Sequence, residues 1–345
     1  MKLWLMRAGT LLAAAFLVLT FTNASWLAEM PRGHVLQIAH RAVAPYYDAA
    51  AIQPGDCPAT QIEAPIHPYI EDTVASAQQA ARMAAALVEI DVSPTADGHM
   101  VAFPDATLDC RTEGKGPVRA KTLAELQQLD VGYGYTADGG KTFPLRGAGA
   151  MPEIGRIAQA LPDTAILFHF VSAEPGDADL LLAALKASGR DVALRGDGFL
   201  GSPAQVAKVK AQFPKAWAWS DESAEACSSG YVLYGWTGLM PASCAGGTMI
   251  VPLDRQWEVW GWPNRTIERM AKAGGRIVVS GPHAAVRTGL SLPEQIGDIP
   301  STFNGYLWVD DLWNVGPALN SSIDRRNGHQ IDMAEKALAA RRAKQ

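Results

Sequence analysis

Short apolar runs alternate with helix-patterned segments along most of this chain, and that rhythm limits the folds open to it. The runs span residues 35–39, 87–92, 100–103, 165–171, 217–220, 248–251, 276–280 and 306–309. Between them lie helix signals with recognisable ends. Asp72-Thr73 can cap a helix reaching residue 85, and Thr122 with Glu125 forms a capping box. Ser202-Pro203 puts proline at a first helical position, and Gly274 closes the segment 264–273. Alternation of this kind predicts a parallel sheet, closed or open. No G-x-G-x-x-G follows the first strand, which disfavours a dinucleotide fold. In a closed barrel the chemistry sits where strands end and loops begin. His40, Asp91, His169, Asp254 and Asp310 all fall at or near such ends.

The first thirty residues obey a different pattern. Lys2 and Arg7 precede an apolar run over 11–22, which Trp26 and Leu27 extend. This is either a cleaved secretory signal or a membrane anchor over residues 8–27. Both readings place the remainder outside the cytoplasm, in the periplasm or tethered facing it. Residues 31–320 then form one domain, and 321–345 a polar, basic tail. An apolar content of 48% is enough for a substantial core. A net charge of −5 without a basic face excludes nucleic acid as a partner.

Glu89 and Asp91 are two apart on a predicted strand, so they share a face. Two carboxylates on a buried face repel and lose hydration. A divalent cation relieves both penalties, and hard ions such as Mg²⁺ or Ca²⁺ prefer oxygen ligands. His40-Arg41 closes the first strand. Histidine can act as a base near neutral pH, and arginine can grip a phosphate with paired hydrogen bonds.

These residues fall in an order that resembles the glycerophosphodiester phosphodiesterase family. The family's H-R-G, P-E-N-T, E-x-D, T-x-D-G and H-D stations read here as His40-Arg41-Ala42, Ile70-Glu71-Asp72-Thr73, Glu89-Ile90-Asp91, Thr95-Ala96-Asp97-Gly98 and Pro104-Asp105. The stretch 107–118 and Thr122-Leu123-Ala124-Glu125-Leu126 are similar to its next two motifs. The resemblance implies a single-domain TIM (β/α)8 barrel and one divalent cation, Mg²⁺ or Ca²⁺. It implies hydrolysis of a small glycerophosphodiester or lipid headgroup to an alcohol and glycerol phosphate. It makes His40 and Arg41 catalytic, and Glu71, Glu89 and Asp91 metal or substrate ligands.

The chain departs from the family at three places. Pro104 replaces the second histidine, which normally protonates the leaving group. Ala42 replaces a glycine. His169 and Val171 stand where relatives carry a metal-binding glutamate and a lysine, so His169 becomes a candidate ligand. His67, just before Glu71, is a candidate substitute for the missing acid. Two other readings follow from the departures and the apolar start: a non-catalytic barrel that binds a phosphorylated ligand, and a related phospholipase. An even cysteine count in an exported chain favours disulfides. Cys57 and Cys110 lie in loops on the site side, and Cys227 and Cys244 are near in sequence, so the expected pairs are 57–110 and 227–244.

Overall fold

Period-two alternation sorts the strand residues into two sets, one filling a barrel and one meeting the helices around it. The computed structural model describes residues 2–343. Its strands are β1 (Leu36–Ala39), β2 (Leu87–Pro94), β3 (Met100–Ala102), β4 (Ala165–Phe170), β5 (Gly198–Leu200), β6 (Trp217–Trp219), β7 (Thr248–Pro252), β8 (Arg276–Ser280) and β9 (Tyr306–Val309). All but β3 are parallel, in the order β6-β5-β4-β2-β1-β9-β8-β7. This is a TIM (β/α)8 barrel. Ile38, Leu87, Leu167, Leu200, Trp217, Trp219, Val278 and Trp308 form its interior cluster. Their strand neighbours, among them Val88, Ile90, Ile166, Phe168 and Phe199, pack outward into a larger core.

The helices are α1 (Lys2–Asn23), α2 (Val74–Arg82), α3 (Leu123–Leu126), α4 (Ile154–Ala160), α5 (Gly176–Ala187), α6 (Val192–Arg195), α7 (Pro203–Gln212), α8 (Asp221–Tyr234), α9 (Asn264–Lys272), α10 (Leu312–Leu319) and α11 (Gly328–Arg342). Thr73 caps α2, the Thr122–Glu125 box starts α3, and Ser202 caps α7 ahead of Pro203. All of α1 but its last turn stands away from the barrel, with none of its apolar length buried.

One difference from the sequence reading concerns the staves. β5 is a stave that the sequence does not announce, because three residues beginning with glycine are too few to establish a period. The run at 100–103 is extended as expected, and as β3 it folds back antiparallel on β2 outside the parallel barrel. Residues 328–342, within the segment read as a tail, form α11. Arg341 from α11 is buried, pairs with Asp311 and Glu63 at 2.9 Å each, and lies 3.5 Å over the Tyr46 ring.

The barrel has one seam, between β6 and β7, the two ends of the strand order. Trp217 Nε1 donates to Thr248 Oγ1 across it (2.8 Å). α8 covers the β7 edge from outside. Ile250 N–H donates to Ser228 Oγ (2.9 Å), and that hydroxyl lies 2.9 Å from the Ile250 carbonyl. The Cys227–Cys244 disulfide ties the same helix to the segment leading into β7, and Cys57–Cys110 joins two loops near the barrel mouth. Both expected pairings are present.

Candidate active site at the barrel mouth

The inward positions change character along the strands. Ile38 is followed two residues later by His40, Leu87 by Glu89 and Asp91, Leu167 by His169, and Trp308 by Asp310. Apolar residues fill the barrel floor, and titratable ones crowd the carboxyl ends of β1, β2, β4 and β9. The β2–β4 register sets Asp91 directly beside His169. His169 Nδ1 lies 2.7 Å from Asp91 Oδ1 and 3.1 Å from Glu89 Oε1. Donor atoms of Glu89, Asp91 and His169 lie within 4.8 Å of one another, a spacing one cation can bridge. Two fully buried carboxylates with this convergence are a donor set that fits a divalent ion.

Charge shifts follow from this crowding. Burial disfavours the His169 imidazolium, but Asp91 and Glu89 outweigh it and raise the group to about 10. Burial raises Asp91, and His169 more than offsets it, holding the carboxyl below its usual range. Asp72 is buried behind the pair and accepts from Asp91 N–H (3.0 Å). Burial first, then the charges of Asp91 and Glu89, push its carboxyl well above the usual range.

His40 stands on the neighbouring strand, β1, beside Glu89. Its Nδ1 lies 2.6 Å from Asp310 Oδ1, and the ring is 5.1 Å from Trp308. Asp310 also accepts from Gly289 N–H (2.7 Å). Burial would raise Asp310, but His40, that N–H and Arg41 hold it low. The His40-Arg41-Ala42 turn runs through the left-handed region, with φ of 54° at Arg41 and 64° at Ala42. The turn aims the Arg41 N–H at Glu89 Oε2 (2.6 Å). The Arg41 guanidinium pairs with the Tyr47 hydroxyl; burial opposes its charge, but Tyr47 and Glu71 raise its pKa.

Two of the sequence candidates stand apart from the three-residue donor group. Glu71 is buried and turned to Arg111, which also binds Asp105 (2.8 Å) and the Tyr135 hydroxyl (2.6 Å). His67 is packed against Tyr69 and Trp313, its ring centroid 5.1 Å from the latter, and burial lowers its pKa. Pro104 lines a small space with Glu71, Asp72, Arg111 and Tyr135. Asp310, which the sequence sets at a strand end, stands at the mouth as the partner of His40. Sequence reasoning missed two residues of the mouth. Arg111 lies inside a stretch recognisable only by its resemblance. Arg287, which pairs with Asp221 and stands 5.3 Å over the Trp308 ring, carries no local signal.

A parallel barrel that gathers histidine, arginine and convergent carboxylates at its carboxyl face has the layout of a TIM-barrel active site. In part of its sequence and in its fold the chain is similar to glycerophosphodiester phosphodiesterases. Residues 62–153 match the model of the glycerophosphoryl diester phosphodiesterase family. A glycerophosphodiester phosphodiesterase of Caldanaerobacter subterraneus is 40% identical over 65 residues, covering 19% of this chain and 27% of its own. A probable glycerophosphodiester phosphodiesterase 1 of Mycobacterium tuberculosis is 33% identical over 108 residues, 31% of each chain. The chain therefore matches only about a third or less of these relatives' length. The fold likeness is broader. The glycerophosphodiester phosphodiesterase structure from Agrobacterium tumefaciens superposes with a TM-score of 0.54 at 20% identity, over 81% of this chain and 98% of that one. An Oleispira antarctica phosphodiesterase in complex with the product sn-glycerol-3-phosphate gives 0.53 at 17% identity, over 83% and 97%.

Proposed function

We propose that this chain is an extracytoplasmic, metal-dependent phosphodiesterase that cleaves glycerophosphodiesters to an alcohol and glycerol phosphate. The observation that carries the reading is the meeting of Glu89, Asp91 and His169 beside the His40–Asp310 pair at one barrel mouth, on four successive strands. Glu89 and Asp91 with His169 would hold one divalent ion, Mg²⁺ or Ca²⁺, the oxygen donors favouring a hard cation. When bound, such an ion supplies Lewis-acid polarisation and neutralises phosphate charge. Asp310 fixes the His40 ring by one nitrogen and leaves the other to take or give a proton. Arg41, rigidly placed by its turn, binds an anionic phosphate oxygen. Arg287, over the Trp308 ring, offers a second positive charge at the mouth, which lacks the lysine the family has at the Val171 position. Glu71 acts by holding Arg111 rather than as a ligand. His67 is not the missing acid in this reading, because its packing favours the neutral ring. Pro104 then leaves the departing alcohol without a protonating neighbour, and turnover is slow on poor leaving groups.

The test is turnover on several glycerophosphodiesters, with and without chelator. Activity should vanish with chelator and return with Mg²⁺ or Ca²⁺, and His40→Ala should lower it about 10²–10⁴-fold. Calorimetry should find cation binding in the wild type and its loss in Asp91→Ala. Cation and phosphate-ester binding without turnover would replace the reading with a non-catalytic barrel, the alternative that Pro104 favours. Hydrolysis only of lipid-borne diesters would select the phospholipase reading.

A further inference from the structure

α1 is 22 residues long, about 33 Å at 1.5 Å per residue, and so matches a hydrocarbon core of about 30 Å. No slack separates it from the barrel. The Thr22 carbonyl accepts from Arg269 Nη2 (2.8 Å), and Asn23 Oδ1 accepts from Arg269 Nη1 (3.2 Å). Asn23 Nδ2 donates to the Trp236 carbonyl (2.9 Å), and Asn264 N–H donates to Ser25 Oγ (3.0 Å). Arg269 is itself buried and also binds the Tyr231 hydroxyl (2.8 Å), so the tie reaches into the core of α8 and α9. If α1 spans a bilayer, the barrel surface around its last turn must lie at headgroup depth.

That surface is unlike the rest of the barrel. Trp236 (45% exposed), Leu239 (70%), Trp257 (81%) and Trp260 (39%) lie around the end of α1, and Leu233 (62%) is on the adjoining last turn of α8. A depression of about 830 Å³ runs between Asn23, Ser25, Trp257 and Trp260. Val286 borders this patch, and elsewhere on the barrel, among the described residues, the large exposed apolar side chains are scattered: Tyr133, Leu194 and Ile331. None of those is a tryptophan, while Trp217, Trp219, Trp308 and Trp313 are all buried. Tryptophan concentrates at membrane–water interfaces because its ring is apolar and its N–H is polar. A patch of this kind facing water would be a liability.

We infer that the barrel rests on the lipid bilayer through this face, with Trp236, Leu239 and Trp257 inserted at headgroup level beside α1. The inference rests on the extracytoplasmic reading above and takes α1 as a retained anchor. The bilayer contact is thus made twice, by a spanning helix and by the folded domain, which fixes the orientation of the barrel relative to the lipid.

The test uses the full chain purified and reconstituted in lipid nanodiscs, where no protein partner is present. Intact mass first establishes whether residues 1–24 are retained. Hydroxyl-radical footprinting then reads oxidation of individual side chains, corrected for intrinsic reactivity. Trp236, Leu239 and Trp257 should be protected several-fold relative to Leu194 and Tyr133 on other faces. Retained residues 1–24 with free oxidation of these three would overturn the docking face while leaving the anchor. Loss of residues 1–24 from the exported protein would overturn the anchor and the inference together.

Discussion

The two sides of the barrel use the same architecture for different ends. On β1, β2, β4 and β9, the inward positions at the carboxyl ends are His40, Glu89, Asp91, His169 and Asp310. On β5, β6 and β8 the corresponding ends carry Leu200, Trp219 and Ser280. The charged side is a continuous ladder; β2 and β4 alone share six register pairs. The other side contains the β6–β7 seam, held by side chains, a disulfide and α8. The match to the family model covers 62–153, on the charged side, and the rest of the chain is related by fold. The difference suggests that one side is constrained by chemistry and the other by filling and closing a cylinder. Changes on the first should move activity at constant stability, and changes on the second should do the reverse.

The largest expected effect tests the charged side at its one gap. Positioned acid–base catalysis contributes about 10²–10⁴-fold, and Pro104 can neither ionise nor donate. It is half-buried, next to Asp105, which Arg111 already orients. Pro104→His should raise turnover of diesters with poor alcohol leaving groups by up to that factor. Activated aryl esters, which need little protonation, should gain little. Steady-state rates on both substrate types, with cation affinity as a control, read the result. No gain on either type in a folded, cation-binding variant would mean that the missing histidine is not what limits the site.

The seam supplies the opposite case. Ser228→Ala removes the partner of the half-buried Ile250 N–H and carbonyl. An unpaired backbone group costs about 1–3 kcal/mol when buried, and the half-buried position puts this one toward the lower end. The melting temperature should fall while the rate per folded molecule stays unchanged. A selective loss of activity would break the division between the two sides.

The charged side was also the more legible in sequence, for a physical reason. Period two along β2 is local, so Glu89 and Asp91 could be put on one buried face without knowing the fold. Short-range punctuation was equally readable, as the caps at Thr73, Thr122 and Ser202 attest. Pairings across the barrel were not. His40 finds Asp310 across 270 residues, and no local pattern encodes that distance. Glu71 looked like a ligand because of its motif position, but its geometry is set by Arg111, forty residues on. His67 was judged by proximity in sequence to Glu71, whereas Trp313 from α10 determines its surroundings. Arg341 lay in a segment whose composition reads as solvated; its burial depends on Asp311 and Glu63 converging from elsewhere.

The smallest expected effect concerns two alanines in the left-handed region, and it separates backbone strain from packing. Ala84, at φ 56°, follows α2 and closes it as a Schellman turn, with Ala85 N–H to the Ala80 carbonyl (3.1 Å) and Ala84 N–H to the Ala81 carbonyl (3.0 Å). It is exposed, so its methyl packs against little. Ala84→Gly should stabilise by about 0.5–1 kcal/mol, the usual gain when glycine takes a positive φ. Ala42, at φ 64°, stands where the family has glycine, yet it is 1% exposed. Relieving its strain recovers about 1–2 kcal/mol. Deleting a buried methyl costs about 0.8 kcal/mol, and the freer unfolded glycine about 0.5–1. These nearly cancel, so Ala42→Gly should change stability by less than about 0.5 kcal/mol. Denaturant titration of both variants decides the matter. Equal gains would show that the Ala42 methyl contributes no packing. A loss at Ala42 alone would show that this methyl does more than offset the strain of the turn that points Arg41 N–H at Glu89.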